Sequence, residues 1–118
     1  MMTPVCPLEN MALEGSRLVE KMLKHKPGSA GYNDDQDHLE ALEQKASFQQ
    51  ALSVTGALQQ AGLAVQCAER IDESRLPDFQ KQSVRELRRH LVRLALFMVA
   101  NGGDIERTYV KVLMPSTF

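Results

Sequence analysis

Tryptophan is absent from this 118-residue chain, and the few Phe and Tyr bring its aromatic share to only 5%. The aromatic interleaving that accompanies basic residues in many nucleic-acid readers is therefore missing. Cysteine is nearly absent too. Cys6 sits beside a proline near the start and Cys67 falls within a helical pattern, unlike the dense frameworks of small secreted domains, so two free thiols in a reducing cytoplasm are expected. No charge of one sign dominates: 14 Lys and Arg stand against 15 Asp and Glu. Long-range steering towards nucleic acid or an anionic membrane has no support from net charge. Long apolar runs are lacking as well. The longest, Leu94 to Ala100, is far short of the roughly 20 residues that span a bilayer. Met1 to Asn10 has neither the basic start nor the apolar stretch of a secretory signal. A soluble cytoplasmic protein without membrane contact is expected.

What the chain has in quantity is helix-forming residues: Ala, Leu, Gln, Glu and Arg. With 43% apolar residues, its length suits one core, so residues 1–118 are read as one all-α domain. Pro7 opens a first helix whose apolar positions include Leu8, Met11, Ala12, Leu18, Val19, Met22 and Leu23, ending near His25. Residues 26–34 collect a proline, two glycines and several turn formers, and read as a flexible linker. A second helix is expected from an Asp34 or Asp35 cap to about Asp72. It would be unusually long, or bend at Gly56 and Gly62, whose destabilising effect close approach of a neighbouring helix could offset. Asp72 to Pro77 breaks the pattern, and a third helix runs from Asp78 to Ala100 before the stop at Asn101-Gly102-Gly103. The short turn between them predicts an antiparallel hairpin of helices two and three. Asp104 to Phe118 is read as a short helix, with an extended strand as the alternative.

The apolar faces carry the functional reading. On a helical wheel, Phe79, Val84, Leu87, Leu91, Leu94, Ala95 and Met98 share one broad face of the third helix, expected to be its core side. Val92, Leu96 and Val99 form a second stripe, roughly opposite. The second helix likewise carries Val54, Leu58, Ala61 and Val65 on one stripe and Leu52, Gly56, Leu63 and Cys67 on another. So small a domain has little material to cover four stripes, so self-association or a protein partner is expected to cover some of them, with the alternative that the first helix folds back and covers them all. The candidate protein-binding residues are Val54, Leu58, Val65, Val92, Leu96, Val99, Tyr109 and Leu113.

Other chemistry has less support. His25, His38 and His90 fall in separate elements without metal-ligand spacing, and the acids around His38 suit a solvated helix start. Cys67 lies among Ala64, Ala68 and Ile71 with no cue for a base, and Gly102-Gly103 lacks the lysine of a phosphate loop. Neither a catalytic constellation nor a cofactor is called for. Lys81, Arg85, Arg88, Arg89 and Arg93 form the one basic set that could meet nucleic acid, although Glu86 interrupts it. Direct nucleic-acid binding is the rival reading to a protein-binding surface.

The succession of a short leading helix, a Gly-rich break, an Ala-rich helix from Phe48-Gln49-Gln50-Ala51-Leu52 through Ala68, and the arginine-rich helix Arg85 to Ala100 resembles the QslA family of quorum-sensing anti-activators. The likeness covers most of the chain and lies in overall character rather than in a motif. It implies a small dimeric helical protein that binds the ligand-binding domain of a LuxR-type activator such as LasR. Occupying the surface through which that activator dimerises would keep it from DNA. The resemblance assigns no individual contact residues, and a helical chaperone or adaptor would show the same apolar faces.

Overall fold

In the computed structural model, residues 6–110 are described. Four α-helices account for most of them: α1 (Pro7–Leu23), α2 (Ala30–Ala46), α3 (Val54–Glu69) and α4 (Asp78–Ala100), with 3-10 turns at Glu73–Arg75 and Ile105–Arg107. The described part is all-α, and none of its helices is long and apolar enough to cross a membrane.

The helices pack in the order α2, α1, α3, α4 rather than in chain order, because α1 touches both α2 and α3 while α4 leans on α3. The buried apolar stripes account for this arrangement. Leu8, Met11, Ala12, Leu18 and Val19 give α1 a buried stripe, which meets Leu39 and Ala46 of α2 and Leu63 of α3 in one apolar cluster. Leu58, Ala61 and Val65 point from α3 towards Ala95 in a second cluster, with Leu91, Val92, Met98 and Val99 packed around it. α3 is thus apolar on two sides and is covered on both. The expected close approach at Gly56 is present, since a Cβ there would run into Cys6 Sγ, just ahead of α1, and touch Leu8 Cβ at 3.4 Å.

Ends and caps show where sequence reading slipped. The anticipated second helix is two helices, and the break falls at residues 47–53 rather than at Gly56 or Gly62. Ser53 accounts for it: its Oγ accepts from Gly56 N at 3.0 Å and donates to Glu9 of α1 at 2.7 Å, so the chain restarts there against α1. At the front, Ser29 caps α2 by accepting from Tyr32 N at 3.4 Å. Helix therefore begins at Ala30, well inside the segment read as a linker over 26–34. Lys21 and His25, four residues apart at the end of α1, reach the buried Asp35 carboxylate at 3.3 and 3.4 Å and tie the two helices together.

α4 runs over the span expected for it. It is antiparallel to α3: Arg88 bonds the carbonyl of Ala68 near the end of α3, whereas Asp104 N bonds Thr55 at its start. Gly102 stops α4 with φ of +100°, a backbone form that suits glycine, and Gly103 N closes back onto Met98 O at 2.7 Å. Beyond it, Asp104 caps the 3-10 turn through Glu106 N at 3.1 Å. Tyr109 then returns to the α1 side, lying where a Cβ on Gly15 would project. There are no strands among the described residues, and the question of helix or strand over 111–118 lies outside them.

Candidate interaction surface

α4 is the longest helix and the least covered. Ala95 is its only buried residue. Because alanine is small, α3 settles over it, and the inward arc becomes Leu91, Val92, Ala95, Met98 and Val99. This corrects the expected orientation by about 60° of rotation about the helix axis, at 100° per residue. Val92 and Val99, anticipated on the outer stripe, pack inward. Leu87 and Leu94, anticipated in the core, are about half exposed at 46% and 51%, and Phe79 is 70% exposed.

The outward residues follow a rule of their own. Ser83, Leu87, His90, Leu94 and Phe97 are all exposed and recur at alternating intervals of four and three, the spacing of a coiled-coil seam. Phe97, at 63% exposure, is the largest side chain along it. Leu96 stands on the opposite margin of α4 and is also exposed. A separate apolar patch arises at the α2–α3 connection, where Phe48, Leu52 and Val54 are exposed.

The eight anticipated binding residues therefore divide. Val54 and Leu96 are at the surface. Leu58, Val65 and Tyr109 are buried in the two clusters, and Val92 and Val99 are partly buried against the second. Leu113 lies outside the described residues. Phe48, Leu87, Leu94 and Phe97 are exposed apolar residues that the sequence reading did not select. The four-three spacing from Leu87 to Phe97 was the available signal.

The basic set is largely tied up within the fold. Glu73 Oε1 accepts from Arg85 at 2.8 Å and Glu73 Oε2 from Arg88 at 2.8 Å, and these bonds hold the Glu73 carboxyl below its ordinary pKa. Arg88 also donates to the carbonyls of Ala68 and Ile71 at 3.1 Å each, binding α4 to the end of α3. Lys81 lies 3.9 Å from Asp78. Arg89 and Arg93 remain without an ion pair among the described residues.

Two further features lie away from the outer face of α4. A groove of about 390 Å³ opens between α2 and α3, lined by Glu43, Gln60, Leu63, Gln66, Cys67 and Arg70 among others. Several of its polar members are engaged: Glu43 accepts from Tyr109 Oη at 3.3 Å, and the Gln66 amide, turned so that its nitrogen faces Glu43, donates to it at 3.2 Å and accepts from Arg70 at 2.8 Å, whereas Gln60 Oε1 is buried with no hydrogen-bond partner among the described residues. Burial raises the Glu43 pKa despite the Tyr109 bond, and burial beside Glu43 drives the Tyr109 phenol well above its usual value. Cys6 is buried. Burial alone would raise its pKa, but hydrogen bonds, chiefly from Leu52 N at 3.3 Å, bring the thiol below its ordinary value.

Comparison with protein-family models, with characterised proteins and with solved structures finds no match for this chain.

Proposed function

We propose that this chain is a regulatory binding protein that sequesters a transcriptional activator. In this reading a cytoplasmic homodimer gives way to a complex with the ligand-binding domain of a LuxR-type activator, LasR-like in kind. Docking on the activator's dimerisation surface keeps the activator monomeric and off its DNA. The observation that carries the reading is the exposed apolar seam of α4, a long helix whose side chains mostly face away from its own core. Burying a Leu or Phe side chain is worth about 1.5–3 kcal/mol, so a few such residues can support a specific contact after association costs are subtracted. The choice of an activator as partner rests on the resemblance to the quorum-sensing anti-activators.

Co-expression of the chain with the ligand-binding domain of such an activator tests this reading. A co-purifying complex is expected, together with loss of the full-length activator's DNA mobility shift. Leu94→Arg should abolish both effects while leaving the circular dichroism spectrum unchanged. A normal mobility shift in the presence of excess chain would overturn the proposal.

The second reading, direct nucleic-acid binding, draws on Arg89 and Arg93, the members of the basic set without ion pairs among the described residues. Two such charges give a weak, strongly salt-dependent contact. Tight binding of the purified chain to DNA at moderate salt would favour this reading instead. A chaperone or adaptor role would use the same apolar seam with another protein.

A further inference from the structure

We infer that the groove between α2 and α3 is a binding site for a small primary amine with a short apolar body, its ammonium held by Glu40, Glu43 and the Gln60 amide oxygen. The inference does not depend on how α4 is used, so it stands or falls apart from the activator reading.

The groove follows from the way the helices are supported. α2 and α3 each lean on α1 and hardly touch one another. The gap that remains, about 390 Å³, lies within the range of small-ligand sites. Gln60, Leu63, Ala64 and Cys67 line it from α3, and Glu40, Glu43, Gln44 and Ser47 line it from the α2 side. In each set the later members stand three, four and seven positions after the first, so one face of each helix looks into the groove. Most of the lining surface is apolar, with Leu63 and Ala64 at its floor, which suits a hydrocarbon body.

The polar groups select the head of the ligand. Gln60 Oε1 is buried with no hydrogen-bond partner among the described residues, and an amide oxygen can only accept. The Gln60 residue as a whole is only partly buried, and its terminal torsion is soft, so a turn about that bond presents the oxygen to the groove. A ligand N–H would then meet an acceptor that no other group uses. Charge points the same way. Glu40 and Glu43 set two carboxylates against the single guanidinium of Arg70, which already donates to Gln66 at 2.8 Å. One added positive charge balances the lining. Burial raises the Glu43 pKa against the pull of Tyr109 and Arg70, and Glu40 adds to the rise, so the ionised carboxylate lacks a sufficient counter-charge. An ammonium supplies one, together with charge-assisted hydrogen bonds. An anionic ligand would meet two like charges and an orphaned acceptor, and an alcohol would bring a single donor and no charge.

Calorimetric titration of the full chain with phenethylamine, beside phenethyl alcohol and phenylacetate, tests the inference. The amine should bind saturably with a dissociation constant of about 0.1–1 mM, the alcohol at least about tenfold more weakly and phenylacetate not at all. Cys67 is the exposed thiol and lies in the lining, whereas Cys6 is buried. Saturating amine should therefore slow maleimide labelling of Cys67 at least about fivefold. Glu43→Gln and Gln60→Leu should each weaken amine binding about tenfold with an unchanged circular dichroism spectrum. Nα-acetyl-lysinamide carries the same ammonium as a protein side chain would, without the apolar body, and should bind at least about tenfold more weakly than phenethylamine. Absence of saturable amine binding overturns the inference. So does equal binding of the alcohol or of phenylacetate, or amine binding that leaves Cys67 labelling and both variants unaffected, which would place the amine elsewhere. Equal affinity for the lysine derivative would overturn the assignment to a small molecule.

Discussion

α3 and α4 lie side by side and are built on opposite principles. α3 is the shorter, yet Thr55, Gly56, Leu58, Gln59, Ala61, Gly62, Leu63, Val65 and Ala68 are all buried, because α1 covers one side and α4 the other. α4 is the longer and buries only Ala95. One helix is the centre of the fold, and the other is held along a single line with its opposite face left to the outside. Apolar residues on α3 therefore report on folding, and apolar residues on the outer face of α4 report on the association proposed above.

Substitutions can break that contrast, beginning with the largest effect. Leu58→Ala should lower unfolding free energy by about 2–5 kcal/mol, because the side chain is fully buried and α4 cannot collapse into the space left behind. Urea denaturation measures it, and a change below 1 kcal/mol would mean that α3 is not central. Gly15→Ala should cost about 1–3 kcal/mol by the same assay, since the new methyl group meets the Tyr109 ring and must displace it. Arg88→Ala should cost about 1–3 kcal/mol, because it removes the bonds to Ala68, Ile71 and Glu73 that hold α4 to the end of α3.

The smaller effects sharpen the picture. Burial raises the folded-state pKa of Glu43, so stability should fall as pH rises from the ordinary carboxyl value through the raised one, then level off. Glu43→Gln should flatten that profile above the ordinary carboxyl range and leave the variant slightly more stable at neutral pH. A steeper profile in the variant would refute the assignment. On the outer face of α4, Leu94→Ser should change the stability of the dissociated chain by no more than about 0.5 kcal/mol, a surface-sized effect.

Much of the fold was legible because its signals were local. Pro7 opens α1, and Pro77 and Gly102 bound α4, whereas which stripe of α3 would face α4 was open in the sequence, and Leu58 and Val65, expected at a protein-binding surface, lie in the α3–α4 contact. The break at residues 47–53 was not legible, because Phe48-Gln49-Gln50-Ala51-Leu52 has no strong helix breaker. Its conformation is set by Ser53 binding both Gly56 and Glu9, and Glu9 lies 44 positions away. The early start of α2 was missed because the acids after it looked like better caps than Ser29. The rotation of α4 was misread for a similar reason. Its wheel carries apolar residues over most of its circumference, and the choice of inner face depends on how closely α3 can approach Ala95, which is a property of the packed pair. That single misjudged angle moved the candidate surface from Val92, Leu96 and Val99 to Leu87, Leu94 and Phe97.

Whether the outer face of α4 is covered in solution can be read from cysteine accessibility at Leu94. On a Cys67→Ser background, which removes the exposed native thiol, Leu94→Cys is labelled with a small maleimide over a range of protein concentrations at pH 7.5, with and without the activator domain. Labelling should slow at least about tenfold as the chain associates, or as the activator domain is added, and should return to the free-thiol rate on dilution. A rate equal to that of an unstructured peptide under every condition would contradict the assignment of this face as an interface.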